Sequence, residues 1–315
     1  MKITVLDKLT MGEDLPFSSL DTFGTVLTYD ETLPHNVIEH IGDSDVIILN
    51  KVKISKDVIN QTKNLKLICV FATGYDNIDI KAAKNKGIAV CNVPGYSTDS
   101  VTLLTVATVL SLVAHLEEYN EFVRTGLYSA SSTPNRISPV FHEVSGKNWG
   151  IVGCGNIGRA VAEVAKAFGA NVIVNKKTPT SEYKCVDIDT LCKESDIITL
   201  HCPLNDETRN LINETRINLM KENVVLVNES RGAVVDEYAV AEAIKTGKIA
   251  GFGCDVYSIE PFSDAHPYSQ IKNFKNVIFT PHMAWAAYEA RERCLSIIKE
   301  NISSYLSGQT LNRVV

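Results

Sequence analysis

The run Gly153-Cys154-Gly155-Asn156-Ile157-Gly158 has GxGxxG spacing, and its context constrains the fold around it. Residues 149–152 before it are apolar and read as a strand. After it, Ile157, Val161, Val164, Ala165 and Phe168 recur at helical spacing and read as one packed helix face. Gly169 ends that helix, and residues 171–174 read as the next strand. Strand, glycine turn, helix and strand within roughly 30 residues make a unit that holds a dinucleotide pyrophosphate. One glycine makes the tight turn, one lets the pyrophosphate approach the backbone, and one lets helix and strand pack closely. The free N–H groups of the helix start would hold the phosphate charge.

The rest of the chain repeats the same rhythm. Strands are expected at residues 3–6, 25–28, 46–49, 67–71 and 88–92, with helix-like stretches at 34–41, 55–62 and 80–86 between them. A second series follows the glycine loop, with strands at 171–174, 197–200, 224–227, 250–254 and 277–279 after the one at 149–152. Between the two series, residues 98–124 contain no Gly or Pro and read as one long, largely buried helix, a candidate interdomain spine. Residues 126–146 read as a loop, and residues 288–307 as a final amphipathic helix. At 315 residues, two domains are expected. The fold class is therefore α/β, with two doubly wound parallel sheets.

In such sheets ligands lie beyond the carboxyl ends of the strands. Polar residues recur there: His201, Cys202 and Pro203 after one strand, Asn228, Ser230 and Arg231 after the next, then Asp255, Glu260 and His282. An Arg, a Glu and a His converging on one crevice form a chemical set. Hydride transfer to a 2-keto acid needs a cation for the carboxylate and carbonyl, and an acid for the developing alkoxide. Arg231 suits the first task through its planar fork, and His282 the second because imidazole titrates near neutrality. Glu260 would orient that imidazole and keep it protonated. At the end of the strand after the glycine loop, Asn175-Lys176-Lys177 stands where an acid usually binds the adenosine ribose. Loss of that carboxylate and the presence of two lysines favour NADP(H) over NAD(H).

Composition excludes other classes. The chain carries 31 basic and 37 acidic residues, a net charge of -6, which argues against a nucleic-acid surface. Residues 101–114 form the most apolar long stretch, too short for a span and interrupted by Thr102, Thr105, Thr108 and Ser111, so no membrane association is expected. The start is too soon charged for a signal peptide. The eight cysteines form no CxxC pair, so neither a zinc cluster nor a disulfide framework is expected, and buried thiols in a cytoplasmic protein are.

At these residues the chain resembles the D-isomer-specific 2-hydroxyacid dehydrogenase family over nearly its whole length. The segments that carry the resemblance are Ala72-Thr-Gly-Tyr-Asp-Asn-Ile-Asp79, Asn92-Val-Pro-Gly-Tyr-Ser-Thr-Asp-Ser-Val101, the glycine loop, Asn228-Glu-Ser-Arg-Gly-Ala-Val-Val-Asp-Glu237, Asp255-Val-Tyr-Ser-Ile-Glu-Pro261 and Thr280-Pro-His-Met-Ala-Trp-Ala286. The last, with Glu289-Ala-Arg291, looks most like the glycerate dehydrogenase (hydroxypyruvate reductase) branch. The resemblance implies Arg231, Glu260 and His282 as the catalytic set, with His282 as proton donor. It implies substrate contacts at Ala72, Thr73, Gly74, Arg231 and His282. Cofactor contacts follow at Thr73, Gly153, Gly155, Asn156, Ile157, Gly158, Asn175, Lys176, Cys202, Pro203, Thr208, Glu229, Ser230, Asp255 and His282, with the nicotinamide near Asp255. It also implies a flavodoxin-like substrate domain of residues 1–98 plus 286–315, a Rossmann domain of residues 99–285, a cleft between them, and a homodimer. Asn175 departs from the family's usual acid, and Phe262 stands where a second proline is common.

The expected activity is NAD(P)-dependent reduction of a small 2-keto acid of the hydroxypyruvate or glyoxylate type to the D-2-hydroxy acid. Hydroxypyruvate, glyoxylate, pyruvate and bulkier acids are all candidates at this stage. The alternatives are phosphite or formate oxidation on the same scaffold, and a dinucleotide-sensing corepressor-like protein that binds partners.

Overall fold

A computed structural model describes residues 1–178 and 181–315. The chain divides into two compact units, Met1–Ser97 with Ala286–Val315, and Thr98–Trp285.

The first unit is built on five parallel strands: β1 (Lys2–Val5), β2 (Thr25–Thr28), β3 (Val46–Leu49), β4 (Leu67–Val70) and β5 (Ala89–Cys91), in the order β2-β1-β3-β4-β5. Every residue of β3 and β4 is buried. This is why those segments read as unbroken apolar runs rather than alternating ones. Helices α1 (Val37–Ile41), α2 (Lys56–Gln61) and α3 (Ile80–Lys86) connect the strands. Asp79 caps α3 by accepting from Ala82 N, and Gly87 closes it in the left-handed conformation at φ 72°. The C-terminal helix α10 (Tyr288–Leu306) packs on β4.

The second unit carries seven parallel strands: β6 (Asn148–Val152), β7 (Asn171–Asn175), β8 (Lys184–Cys185), β9 (Ile197–Leu200), β10 (Val224–Asn228), β11 (Ile249–Cys254) and β12 (Val277–Phe279). Their order is β12-β11-β10-β9-β6-β7-β8, so the chain reverses direction across the sheet between β6 and β9. The six strands expected from the sequence are present. The seventh, β8, is a two-residue edge strand on β7, too short to give a periodic signal. One face is covered by α7 (Ile188–Glu194), α8 (Glu214–Leu219) and α9 (Glu237–Lys245), over a core that includes Leu200, Leu226, Phe252 and Tyr268. On the other face lie α6 (Asn156–Ala167) and α4 (Thr98–Val113), over Trp149, Ile151, Val225 and Val227.

The single helix expected over residues 98–124 is two. α4 ends at Val113, and α5 (Leu116–Arg124) leaves at 66°. His115 lies between them with φ 50°, a left-handed conformation that a right-handed helix cannot continue through. α4 packs on β10 and β11, whereas α5 buries none of its residues. Among the described residues no single helix is long and apolar enough to cross a membrane.

Candidate active site

The glycine loop leaves β6 and enters α6 with each glycine in a distinct situation. Gly153 has φ 88°, and a Cβ there would stand 2.6 Å from Cys202 N at the end of β9. A Cβ on Gly158 would stand 2.1 Å from the Gly153 carbonyl oxygen, so helix and loop touch through backbone. Around Gly155, by contrast, a Cβ would meet nothing within 4 Å. The loop is thus tight where the protein packs on itself and open where a ligand approaches the helix start. These are the conditions a pyrophosphate needs.

The reversal between β6 and β9 adds a second sign. His201, one residue past β9, donates its backbone N–H to the Val152 carbonyl at 2.7 Å. Both its ring nitrogens are buried and have no partner among the described residues, and burial pushes the imidazole down to about 3. A buried neutral imidazole with two unpaired nitrogens at a switch point is a polar group awaiting a ligand. The residues present fit a dinucleotide.

At the adenosine end, Asn175 closes β7 and donates its amide to the Val186 carbonyl at 3.0 Å. Lys177 is taken by Glu207 at 3.0 Å on the surface, while Lys176 and Arg159 act on Cys154 in the loop. Both lower the Cys154 thiol, though burial outweighs them and raises it. Arg159 also lies 3.5 Å from Glu182. Cys202 is buried, and Thr208 closes the following turn by donating to the Pro203 carbonyl at 2.7 Å.

Beyond β10 the buried Asn228 organises a turn. Its Oδ1 accepts from Ser230 N at 3.1 Å and Ser230 Oγ at 2.8 Å, and its Nδ2 donates to the Arg231 carbonyl at 3.0 Å. Arg231 therefore leaves a fixed backbone. At Gly232 a Cβ would lie 2.1 Å from the Tyr257 carbonyl carbon, so this turn packs backbone to backbone on the loop that bears Glu260. Glu260 accepts from Tyr257 N at 3.0 Å through Oε1, and its Oε2 stands 2.6 Å from His282 Nδ1. A carboxylate only accepts, so Nδ1 carries the hydrogen of this contact. Arg231, Glu260 and His282 thus come from three successive strand ends onto contiguous segments.

Asp255 is 1% exposed and holds the turn on which His282 sits. Its Oδ1 accepts from Thr280 Oγ1 at 2.6 Å and Met283 N at 2.8 Å, and its Oδ2 from Ala284 N at 2.8 Å. His282 itself has φ 53°, and its carbonyl accepts from Trp285 Nε1 at 2.8 Å. Glu229 is also buried, with Oε2 2.9 Å from Thr105 Oγ1 of α4. Thr105 is a site residue that the sequence reading passed over. The signal was the threonine series 102, 105, 108 inside an apolar helix, which places hydroxyls on one buried face.

Ala72, Thr73 and Gly74 lie in the first unit, just past β4. There Val93 N donates to the Ala72 carbonyl at 2.9 Å, Thr73 Oγ1 to the Val93 carbonyl at 2.9 Å, and Asn92 Nδ2 to the Thr73 carbonyl at 2.8 Å. These bonds hold the segment against residues 92–93.

Residues 106–284 match the family described as D-isomer specific 2-hydroxyacid dehydrogenase, NAD binding domain. A hydroxypyruvate reductase of Blautia hydrogenotrophica is 35% identical, over 100% of this chain and 99% of its own length. A glyoxylate reductase of Thermococcus litoralis is 38% identical over 87% of this chain and 84% of its own. Among solved structures, an acyclic imino acid reductase in complex with NADPH and D-Arg superimposes with a TM-score of 0.89 at 32% identity, covering 100% of both chains.

Proposed function

Because the chain belongs to the D-isomer-specific 2-hydroxyacid dehydrogenase family, an oxidoreductase family with an NAD-binding domain, we propose that it reduces hydroxypyruvate or glyoxylate to the D-2-hydroxy acid, with His282 as proton donor. The observation that carries this reading is the 2.6 Å contact of Glu260 with His282 on a loop packed against the Arg231 turn. The names of the relatives, a hydroxypyruvate reductase and a glyoxylate reductase, support a small substrate.

The chemistry divides among these side chains. When bound, the reduced nicotinamide supplies a hydride to the keto carbon. Arg231 clamps the substrate carboxylate with its planar fork and polarises the carbonyl oxygen. Glu260 holds the ring of His282 in one orientation. His282 Nε2–H then gives its proton to the developing alkoxide, and the Nδ1–H stays with Glu260. Asp255 keeps the His282 turn in place. Residues 1–98 with 286–315 are the substrate domain, and residues 99–285 are the dinucleotide domain.

The cofactor is NADP(H) in preference to NAD(H). Asn175 in place of an acid removes repulsion against a 2′-phosphate, and Lys176 with Arg159 supplies positive charge at that end. Assays of a panel of small 2-keto acids against both cofactors test both points. Hydroxypyruvate or glyoxylate should give the highest kcat/KM, and the NADPH/NADH ratio of kcat/KM should exceed one. Turnover confined to bulky keto acids would overturn the substrate reading, and an NADH preference the cofactor reading.

A homodimer formed through the second unit completes the proposal. α5 buries none of its residues, and Ile137, Val140 and Phe141 beyond it are 80%, 72% and 53% exposed. So much apolar surface in one stretch is characteristic of an interface. The double variant Ile137→Asp, Val140→Asp should run as a monomer where the wild type runs as a dimer, read by light scattering after size exclusion. A monomeric wild type would remove this part of the proposal.

A further inference from the structure

Glu237 is a buried carboxylate that the mechanism above does not use. It is 9% exposed and opens α9, in the segment that follows Arg231. Asp236 already satisfies the start of that helix, accepting from Tyr238 N and Ala239 N at 3.1 Å each. The oxygens of Glu237 turn instead to the loop after β11. Oε1 accepts from Ser258 N at 2.9 Å, and Oε2 meets Ser258 Oγ and, at 2.9 Å, His266 Nε2.

The backbone fixes the state of His266. Tyr268 N can only donate, and it stands 3.2 Å from His266 Nδ1, where the side chain caps the short 3₁₀ helix Pro267–Gln270. Nδ1 therefore carries no hydrogen, and the ring is the neutral tautomer with its hydrogen on Nε2. That hydrogen goes to Glu237, so three donors converge on one buried carboxylate and offset its desolvation. Phe262, which stands where a second proline is common in the family, packs beside the pair. Its ring centroid is 5.0 Å from that of His266 and 4.7 Å from that of Tyr257.

These bonds grip the loop one residue from its contact with Glu260. Tyr257 N donates to Glu260 Oε1 at 3.0 Å, and Ser258 N to Glu237. Tyr257 Oη donates to the Thr280 carbonyl at 2.8 Å, two residues before His282. Gly232, after Arg231, leaves no room for a side chain against the backbone of Tyr257 and Ser258. The loop is thus tied to α9, to the Arg231 turn and to the turn that bears His282.

We propose that Glu237 and His266 form a positioning pair for the reaction, holding residues 257–260 so that Glu260 meets His282, while touching neither substrate nor cofactor. The inference rests on the dehydrogenase reading of this unit. A pair that only stabilises the packing of α9 on the 3₁₀ helix would change kcat no further than it unfolds the protein.

H266N separates the two roles. Asparagine puts an accepting oxygen where Nδ1 stands and keeps the cap, but it is too short to reach Glu237. In the folded variant kcat should fall by about tenfold or more, since a displacement of about 1 Å at a reacting group costs on the order of 10²-fold. KM and the Kd for the reduced cofactor should stay within a few-fold of the wild type's. E237Q keeps one accepting oxygen and turns an amide toward a donor, and should show the same split. H266Q, which brings a donor back to Glu237, should recover most of the kcat lost in H266N. In an E260A background, where no carboxylate is left to hold, H266N should cost no more than about twofold. Wild-type kcat in folded H266N or E237Q, an equal loss from H266N with and without Glu260, or a folded H266Q that recovers nothing would overturn this inference alone. Failure of the wild type to reduce any small 2-keto acid with either cofactor would overturn the dehydrogenase reading and this inference with it.

Discussion

His282→Ala should lower kcat by about 10²–10⁴-fold while the Kd for the reduced cofactor stays within a few-fold of the wild type's. That range is what a positioned general acid contributes. His282 is the group proposed for that task. Its Nδ1 meets Glu260 at 2.6 Å, and Nε2 is the nitrogen proposed to serve the substrate. The glycine loop, proposed to hold the pyrophosphate, follows β6, whereas the His282 turn follows β12, so cofactor binding should survive the change. Stopped-flow turnover with saturating keto acid and fluorescence titration of the reduced cofactor separate the two quantities. Wild-type turnover in the variant would remove His282 as the acid. Loss of cofactor binding together with turnover would assign it to the binding site instead.

How much of this was legible in the sequence depends on how local each feature is. The glycine loop is legible because its constraints act within a few residues: Gly153 and Gly158 contact each other, and strand and helix flank them directly. The parallel sheets are legible because buried central strands such as β3, β4 and β10 produce unbroken apolar runs. The break at His115 is not, since the residues on both sides suit a helix and only a left-handed backbone angle divides α4 from α5. Nor could spacing show that Glu260 reaches a ring 22 residues away, because that contact depends on how the loop folds back on the Gly232 turn. Thr105 lies 124 residues from Glu229 in the chain, and the 2.9 Å hydrogen bond between them is one that composition cannot register. Long-range polar contacts of this kind account for most of what the sequence withholds about the site.

Asp255→Ala should cost stability and turnover together, because one buried carboxylate serves both. Thr280 Oγ1, Met283 N and Ala284 N all donate to it, and the alanine side chain can accept from none of them. Each donor left unpaired in a buried place costs about 1–3 kcal/mol, so a loss of about 3 kcal/mol or more is expected. For a unit of this size that corresponds to a fall in Tm of roughly 6–12 °C by calorimetry. The same three bonds define the turn on which His282 holds a φ of 53°. Without them the ring drifts from Glu260, and a displacement of about 1 Å at a reacting group costs on the order of 10²-fold in rate. Asp255→Asn tests the division of labour, since an amide keeps one accepting oxygen but turns a donor toward one of the backbone N–H groups. It should lie between alanine and wild type in Tm yet close to alanine in kcat, because turn geometry tolerates less error than folding does. A variant with lowered Tm and undiminished kcat would show that Asp255 supports the fold alone, and that the His282 turn holds its shape without it, through Trp285 Nε1 and the backbone bond from His282 N to the Thr280 carbonyl.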